Sequence, residues 1–471
     1  MNTSNKVVLA LGLFTVASCG GGGGGGGGDG GTNVSGSIST DAPLLVGVGG
    51  FGADAGKGKA VTVKAVADID VLGLGALAGA NDDLADSDDK LNGDERRPDL
   101  MSAGVMAQSI GGGGGNGGLN VSGALVTSKS QGVPAINVGI GGYGGDGATS
   151  DDVTVDHEGS INIAGEYAHG VLAQSIGGGG GNGATNVSGQ ISKASGTKGE
   201  AGGNSDISIV VGVGGSGGEA AKSGDVTVTQ FGQVTTKGDN SRGIFAQSIS
   251  DGGGFGGLNV SALVGTKTSP VIVGVGGSGG DGASAGNVAV FRGDSTSDAG
   301  AIVTDGETAH GIEASTVSGG GGDAGANIAF SAVQANKASG DPGFTASIGI
   351  GGGGGEAADA GNALINNYSN VITLQNKSHG VFSQSIGGGG GNANFNVALG
   401  IAKFGDKKEN NNSPKGVSLA VGGATGNGGS GGQVDVVQVG NVDTTGDNSY
   451  GIFAQSIGGG GGNDGFDMNM A

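Results

Sequence analysis

The sequence is poor in proline, cysteine and aromatic residues, and each shortage excludes a class of protein. The 471 residues include 6 Pro, 1 Cys, no Trp and 4% aromatic residues. Such a low Pro content, without a Gly-X-Y period, excludes a collagen triple helix. A single Cys permits no internal disulfide and no cysteine-based metal site. No Gly-x-x-x-x-Gly-Lys-Ser/Thr loop is present, so the sequence indicates no P-loop nucleotide site.

Basic residues are scarce as well: 21 Lys and Arg stand against 42 Asp and Glu, for a formal net charge of −21. An acidic surface repels phosphate backbones, so we expect no nucleic-acid partner. The residue in excess is glycine, with 118 copies. Without a period, that content would indicate a disordered chain.

A repeat runs through this glycine-rich chain. The segment Gly-Ile-Phe-Ala-Gln-Ser-Ile stands at 243–249 and 451–457, with variants at 104–110, 170–176 and 380–386 and a divergent copy at 311–317. The Gln position recurs at 108, 174, 247, 315, 384 and 455, in steps of 66, 73, 68, 69 and 71 residues. A period this steady is typical of stacked repeat proteins.

The segments between the copies are short Val- and Ile-rich strands bounded by Gly, Asn and Asp, without helical periodicity. The sequence therefore predicts an all-β fold, a repetitive β-solenoid or β-helix with Gly-rich turns. If each coil takes twenty-odd residues, as is common in such folds, a repeat of about 70 residues forms about three coils.

The first residues have the features of an export signal. Lys6 precedes a short apolar stretch at 7–16, and the small residues Ala17, Ser18 and Cys19 follow. Neither this stretch nor any later one is long and apolar enough to span a bilayer as a helix. We divide the chain into a signal peptide (1–18), a Gly-rich tether (19–32) and a solenoid (33–471) with an acidic insertion (81–100).

The sequence at 16–19, Val-Ala-Ser-Cys, resembles the lipobox of bacterial lipoproteins. The resemblance implies that Cys19 is acylated and becomes the mature N-terminus. It further implies a lipid-anchored protein at the outer membrane or cell surface, since Gly20 replaces the Asp that retains lipoproteins at the inner membrane. The alternative is an ordinary secretory signal and a secreted protein.

The divergent copy at 311–317 indicates which side chains face inward. Ile312, Ala314 and Thr316 stay small or β-branched, whereas Glu313 occupies a position that holds Phe, Leu or Met elsewhere. Side chains alternate in a strand and charge is tolerated toward solvent, so we expect Val/Ile, Ala and Ser/Thr inside and Phe/Leu/Met and Gln outside.

This assignment places one large apolar side chain per repeat on the outer face: Met106, Leu172, Phe245, Phe382 and Phe453. Two interpretations stay open. Either a neighbouring Gly-rich loop covers each residue, or the five form a periodic exposed stripe that binds a partner or a second copy of the chain.

With these repeats, the chain resembles the passenger region of Gly-rich, autotransporter-type bacterial surface proteins. The matching stretches are 103–118, 168–183, 241–257, 378–392 and 449–463, and the similarity extends over roughly 20–471. The resemblance implies a surface repeat domain but identifies no ligand. Such passengers precede a membrane-anchoring β-barrel, which this sequence lacks, so we expect a truncated or rearranged passenger.

The sequence contains three candidate metal-binding patterns, and each of them lacks a required feature. His169, His310 and His379 recur at one repeat position, about 14 Å apart if three coils separate them, too far to share a metal ion. The segments at 141–147 and 276–282 are similar to a calcium-binding nonapeptide but lack tandem copies. In the insertion, Lys90 occupies a ligand position of an EF-hand-like loop at 88–99. We therefore expect no metal, no cofactor and no catalytic residue.

These observations predict a non-catalytic, exported repeat protein, an adhesin-like stalk or matrix component. Its partners would be a host or matrix glycan or protein, or further copies of itself. A carbohydrate-active β-helix enzyme and a passenger fragment without selected activity are the alternatives.

Overall fold

The computed structural model describes residues 26–39, 43–72, 102–128, 134–194, 206–266, 268–294, 296–297, 299–334, 344–403 and 415–471. In these ranges the regular structure consists of strands, which pair in parallel into five sheets. The expected all-β solenoid is confirmed. Among the same residues, the structure contains no helix of the length and apolar character needed to cross a membrane.

Sheets 1 and 2 are named in the order in which the chain reaches them within one coil. Sheet 1 contains the strands Asn33–Ser39, Asn120–Ser128, Asn186–Ala194, Asn259–Thr266, Asn327–Gln334, Asn396–Lys403 and Asp467–Met470. Sheet 2 contains Leu44–Val48, Ala135–Ile140, Asp206–Val213, Thr268–Val275, Phe344–Ile350 and Lys415–Val421.

Sheets 3, 4 and 5 complete the coil. Sheet 3 contains Val61–Val66, Val153–Glu158, Val226–Phe231, Val288–Arg292, Ala363–Asn367 and Val434–Gln438. Sheet 4 contains Ile69–Leu72, Ile161–Ala164, Val234–Lys237, Ile302–Asp305, Val371–Thr373 and Val442–Thr444. Sheet 5 contains Ser102–Ile110, Ala168–Ile176, Ile244–Ile249, Ile312–Val317, Val381–Ile386 and Ile452–Ile457.

Each sequence repeat forms one large coil. Asn120 pairs with Asn186, and Asn186 pairs with Asn259, at separations of 66 and 73 residues that equal the sequence period. The expectation of three coils per repeat is wrong, because one coil contains five strands and two long glycine-rich segments. Seven strands in sheet 1, spaced about 4.8 Å apart, give a length of about 29 Å along the coil axis. The protein is therefore a short, broad blade.

Sheets 3, 4 and 5 enclose one end of the blade, which we call the prism. Its core consists of inward-facing Val, Ile and Ala side chains, one layer per coil, including Val155, Val228, Ile244, Ala246 and Ile302. Small and β-branched side chains suit this core because the three sheets leave a narrow interior.

Sheets 1 and 2 pack against each other at the other end, which we call the wedge. Its interior contains a ladder of six buried Asn side chains, in which the Nδ2 of each of the first five donates to the Oδ1 of the next coil at 2.6 to 2.8 Å: Asn33, Asn120, Asn186, Asn259, Asn327 and Asn396. A Gly column of sheet 2 faces this ladder. A Cβ at Gly139 would lie 2.4 Å from Asn186 Oδ1, so the ladder requires glycine there.

Between prism and wedge lie two layers of extended glycine-rich segments, with hydrogen bonds that repeat every three residues. The N–H groups of Gly111 and Gly114 donate to the next coil, at 2.8 Å each, whereas those of Gly115 and Gly118 donate to the opposite layer, at 2.9 and 2.6 Å. A three-residue repeat is the period of an extended polyproline II-type helix. A Cβ at Gly115 would lie 2.1 Å from a carbonyl oxygen, so these segments exclude side chains at two positions of three.

The third position of each segment faces solvent. Where the neighbouring coil has an Asn or Asp at this position, its side chain accepts the backbone N–H: Asn182 N donates to Asn116 Oδ1 at 3.0 Å, and Asn116 N donates to Asp29 Oδ1 at 2.8 Å. The glycine runs are thus ordered layers and not only turns.

The solenoid begins earlier in the sequence than the expected domain division places it. Gly27 N and Gly30 N donate to Gly113 O and Asn116 O, so residues 26–32 belong to the first coil and not to the expected Gly-rich tether. The signal peptide with Cys19, and the acidic insertion 81–100, lie outside the described residues.

Candidate functional site: the outer ladders of sheet 5

The repeated Gly-Ile-Phe-Ala-Gln-Ser-Ile segment forms sheet 5, with its equivalent residues in register on successive coils. Val171, Ala173 and Ser175 are fully buried and face the prism, which confirms the inward assignment. The serine has a structural role that the sequence did not indicate. Ser175 Oγ donates to Asp151 O at 2.9 Å and accepts from Gly224 N at 2.8 Å, which ties sheet 5 to the segment entering sheet 3 in two coils.

The repeated glutamine forms an amide ladder on the outer side of the same strands. Gln108 Nε2 donates to Gln174 Oε1 at 2.7 Å, and Gln174 Nε2 donates to Gln247 Oε1 at 3.0 Å. At the divergent copy, Gln384 Nε2 donates instead to Ser315 Oγ at 3.0 Å. The Gln position therefore stabilises the stacking of coils from outside.

The five large apolar residues of the predicted stripe share one outer column with Glu313, but they are not uniformly exposed. Met106 is 44% exposed and Phe382 and Phe453 are half-buried, whereas Leu172 and Phe245 are 0% and 7% exposed. The column is thus not a continuous exposed stripe.

A second outer column supplies the cover for the aromatic rings. It contains one residue per coil, three positions before the apolar residue: Ala103, His169, Arg242, His310, His379 and Tyr450. The Arg242 guanidinium lies 4.2 Å from the Phe245 ring centre, and the His169 ring lies 5.2 Å from it. His310 and His379 contact Phe382 in the same way, at 5.4 and 5.7 Å. These side chains cover the rings of Phe245 and Phe382, where the sequence suggested a Gly-rich loop as the cover.

His310 and His379 lie on consecutive coils, and His169 lies two coils from His310 with Arg242 between them, which corrects the expected separation of about 14 Å between neighbouring copies. The His310 and His379 rings stack with their centres 4.7 Å apart and their planes 4° from parallel. Each Nδ1 accepts a backbone N–H of the next coil, His310 Nδ1 from His379 at 3.0 Å and His379 Nδ1 from Tyr450 at 3.1 Å. This acceptor role requires a ring without a proton on Nδ1.

Burial disfavours charge on these rings. It lowers the pKa of His169 to about 4 and that of His310 to about 3, and the nearby Arg242 charge adds to both shifts. Burial also lowers the pKa of the less enclosed His379. The imidazoles are therefore neutral at neutral pH and act as acceptors and ring contacts.

Glu313, expected to face solvent, is instead buried, with 4% of its surface exposed. Arg242 Nε donates to Glu313 Oε2 in a close ion pair. Burial raises the pKa of Glu313, and the Arg242 charge opposes that shift. The buried carboxylate of the divergent repeat is thus paired with an arginine one coil away.

Asp146 and Asp281 of the two calcium-like segments lie two coils apart, in a column with one carboxylate on each of five successive coils: Asp54, Asp146, Glu219, Asp281 and Glu356. Asp54 Oδ1 accepts from Asp146 N at 3.0 Å, and Asp146 Oδ1 accepts from Glu219 N at 2.9 Å. Within the described ranges, no three His, Cys, Asp or Glu residues form a group able to hold a metal ion.

The outer faces of the wedge form a further surface, which was not expected from the sequence. The three outward positions in the central part of each sheet 2 strand are aliphatic on all six strands, as in Val46, Val138, Val211, Val273, Ile348 and Leu419. Sheet 1 has a similar face. The repeated Asn before Val was the available signal, because a strand that buries the Asn must turn its Val outward.

No family model, no curated protein and no solved structure matches this chain.

Proposed function

We propose that this protein is a non-catalytic component of a bacterial surface or extracellular matrix, exported and held by a lipid on Cys19. The observation that supports the proposal is the distribution of its chemical groups. Amides, carboxylates and aliphatic side chains each form a column along the coil axis. A catalytic site requires different groups to converge on one reacting atom.

The repeated surfaces of the blade support an adhesin-like stalk or matrix component. The outer face of sheet 2 and the carboxylate column that begins at Asp54 present the same contacts on successive coils, which suits many weak contacts with a repetitive glycan or protein matrix. The resemblance to autotransporter passengers is consistent with this role.

Two measurements test the proposal. The full chain with Cys19→Ser, immobilised on beads, should retain matrix polysaccharides or surface proteins without consuming them, and reducing-end assays should show no release of sugars. Turnover of any polysaccharide would overturn the non-catalytic assignment. Membrane fractionation tests the anchor: wild-type chain should partition with membranes and the Cys19→Ser chain should not.

A further inference from the structure

The outer face of sheet 1 presents three columns of side chains. The first is a β-branched column that ends in methionine: Val34, Val121, Val187, Val260, Ile328, Val397 and Met468. The third is aliphatic as well: Ile38, Leu125, Ile191, Val264, Ala332 and Ile401. Ile38 and Ile191 are 83% and 56% exposed. Contiguous apolar surface of this extent marks an interaction site.

The middle column changes in size along the coil axis. Its residues, in coil order, are Gly36, Gly123, Gly189, Ala262, Phe330, Leu399 and Met470. Three glycines thus form the floor of a groove at one end, and three large side chains form a ridge at the other. A Cβ at Gly123 or Gly189 would meet nothing within 4 Å, so the fold itself does not demand glycine there.

We propose that sheet 1 is the interface of a symmetric dimer, with a second copy of this chain as its occupant. Sheet 1 has seven strands, and Ala262 lies on the fourth, Asn259–Thr266. A two-fold axis in the interface plane along this strand makes the two sheets face each other and reverses the coil order. The ridge of one copy then fills the groove of the other: Phe330 lies opposite Gly189, Leu399 opposite Gly123 and Met470 opposite Gly36.

The contact area is sufficient for such a dimer. Seven strands span about 29 Å, and the outward positions, including the fourth one that holds Lys193, Gln334 and Lys403, cover about 20 Å along the strands. Each copy would contribute about 550 Å², or about 1,100 Å² in total, against about 1,000 Å² for a specific interface. Sheets with faces of this kind pack about 10 Å apart in β-sandwiches. Sheet 2 has no comparable change from small to large residues along a column.

The positions of the charged residues on sheet 1 are compatible with the same two-fold axis. In the described strands of sheet 1, the outward positions hold two lysines, Lys193 and Lys403, and no carboxylate. The axis places Lys193 opposite Gln334 and Lys403 opposite Thr127, so no like charges meet. The inference stands apart from the proposed function, since it requires neither export nor a matrix ligand.

Analytical ultracentrifugation of the full chain with Cys19→Ser tests the dimer. We expect a dimer at micromolar concentration, strengthened by salt because each copy carries a net charge of −21. Gly189→Phe should fill the groove and weaken dimerisation at least tenfold. Adding Phe330→Gly to that variant exchanges ridge and groove, and should restore dimerisation. Gly389→Phe, on an exposed glycine of another face, serves as the matched control and should leave it unchanged.

Circular dichroism and thermal unfolding establish that each variant is folded. A wild-type chain that stays monomeric at 100 µM would overturn the proposal, as would a dimer that Gly189→Phe leaves intact. A double variant no better than Gly189→Phe would exclude the proposed two-fold axis, and a dimer broken instead by Val211→Lys would transfer the interface to sheet 2.

Discussion

In both the prism and the wedge, side chains alternate between the inner and outer face of each strand. The apolar side chains face inward in the prism and outward in the wedge. In the prism, Val, Ile and Ala face inward. In the wedge, Asn and Ser side chains occupy much of the interior, while aliphatic side chains face out. The comparison shows that alternation alone identifies a strand but not its inner face. Hydrogen-bonded ladders allow a polar interior, because every coil supplies a partner for the amide of the next.

The largest expected effect comes from a charge in the prism. Ala173→Glu should lower the free energy of unfolding by about 4 kcal/mol, because it places an unpaired carboxylate in a fully buried position. Val46→Glu, on the outer face of the wedge and 46% exposed in the wild type, should cost less than about 1 kcal/mol. Urea unfolding of both variants gives the comparison.

Leu172→Glu refines the same comparison. Leu172 is on the outer side of its strand but fully buried, so its substitution should cost nearly as much as Ala173→Glu. A small effect at Leu172 together with a large one at Ala173 would show that the outer column is open in solution. Equal, small effects at both positions would contradict the described prism.

The next effect concerns the polar interior of the wedge. Asn259→Leu keeps the side-chain size but leaves Asn186 Nδ2 and Asn327 Oδ1 without the partners they have at 2.8 and 2.7 Å. We expect a loss of about 3 kcal/mol, since unpaired buried amides are costly. The neighbouring Val260→Asn, on the outer face, should change stability by less than about 1 kcal/mol. If Asn259→Leu were neutral, the ladder would not stabilise the wedge.

Particular residues show how far the sequence could predict this structure. The divergent copy with Glu313 was sufficient to orient sheet 5, because one charged residue distinguished its faces. No charged residue marks the faces of sheet 1 in the central part of its strands, so only the repeated Asn before each Val indicated that the Val column faces outward. The period was evident, but a period does not state how many coils it contains. The glycine layers depend on hydrogen bonds between segments distant in sequence, such as Gly118 with Gly50, which no local pattern reveals.

A further effect on the free energy of unfolding should appear with pH. It should arise in the prism, where His169, His310 and His379 lie on the outer side of sheet 5. The pKa of His169 is about 4 and that of His310 about 3, against about 6.5 in an unfolded chain. The unfolded state therefore binds more protons below pH 6.5, so stability falls as the pH drops from about 6.5 toward 4 and is unaffected by these groups above 7.

His310→Asn isolates this contribution, because its Oδ1 can still accept the His379 N–H but does not titrate. Unfolding free energies of wild type and variant should differ by a constant amount above pH 7 and converge or cross as the pH falls to 4. Parallel curves over the whole range would show that His310 is not the source of the pH dependence.

The smallest expected effect is a gain, at the turn between sheets 4 and 5. The residue at this turn has a positive φ in five coils: Tyr167, Asn240, Thr308, Lys377 and Asn448, at 54° to 59°. Asn tolerates this left-handed conformation better than Tyr does. Tyr167→Asn should therefore stabilise the protein by about 0.5 to 1 kcal/mol, measured as a rise in the urea midpoint.

Tyr143→Asn is the control, because Tyr143 is similarly exposed but stacks on Phe51 at 5.3 Å and has no positive φ to relieve. It should lose stability. A loss at Tyr167 as well would mean that the tyrosine ring contributes more to the fold than its backbone conformation costs.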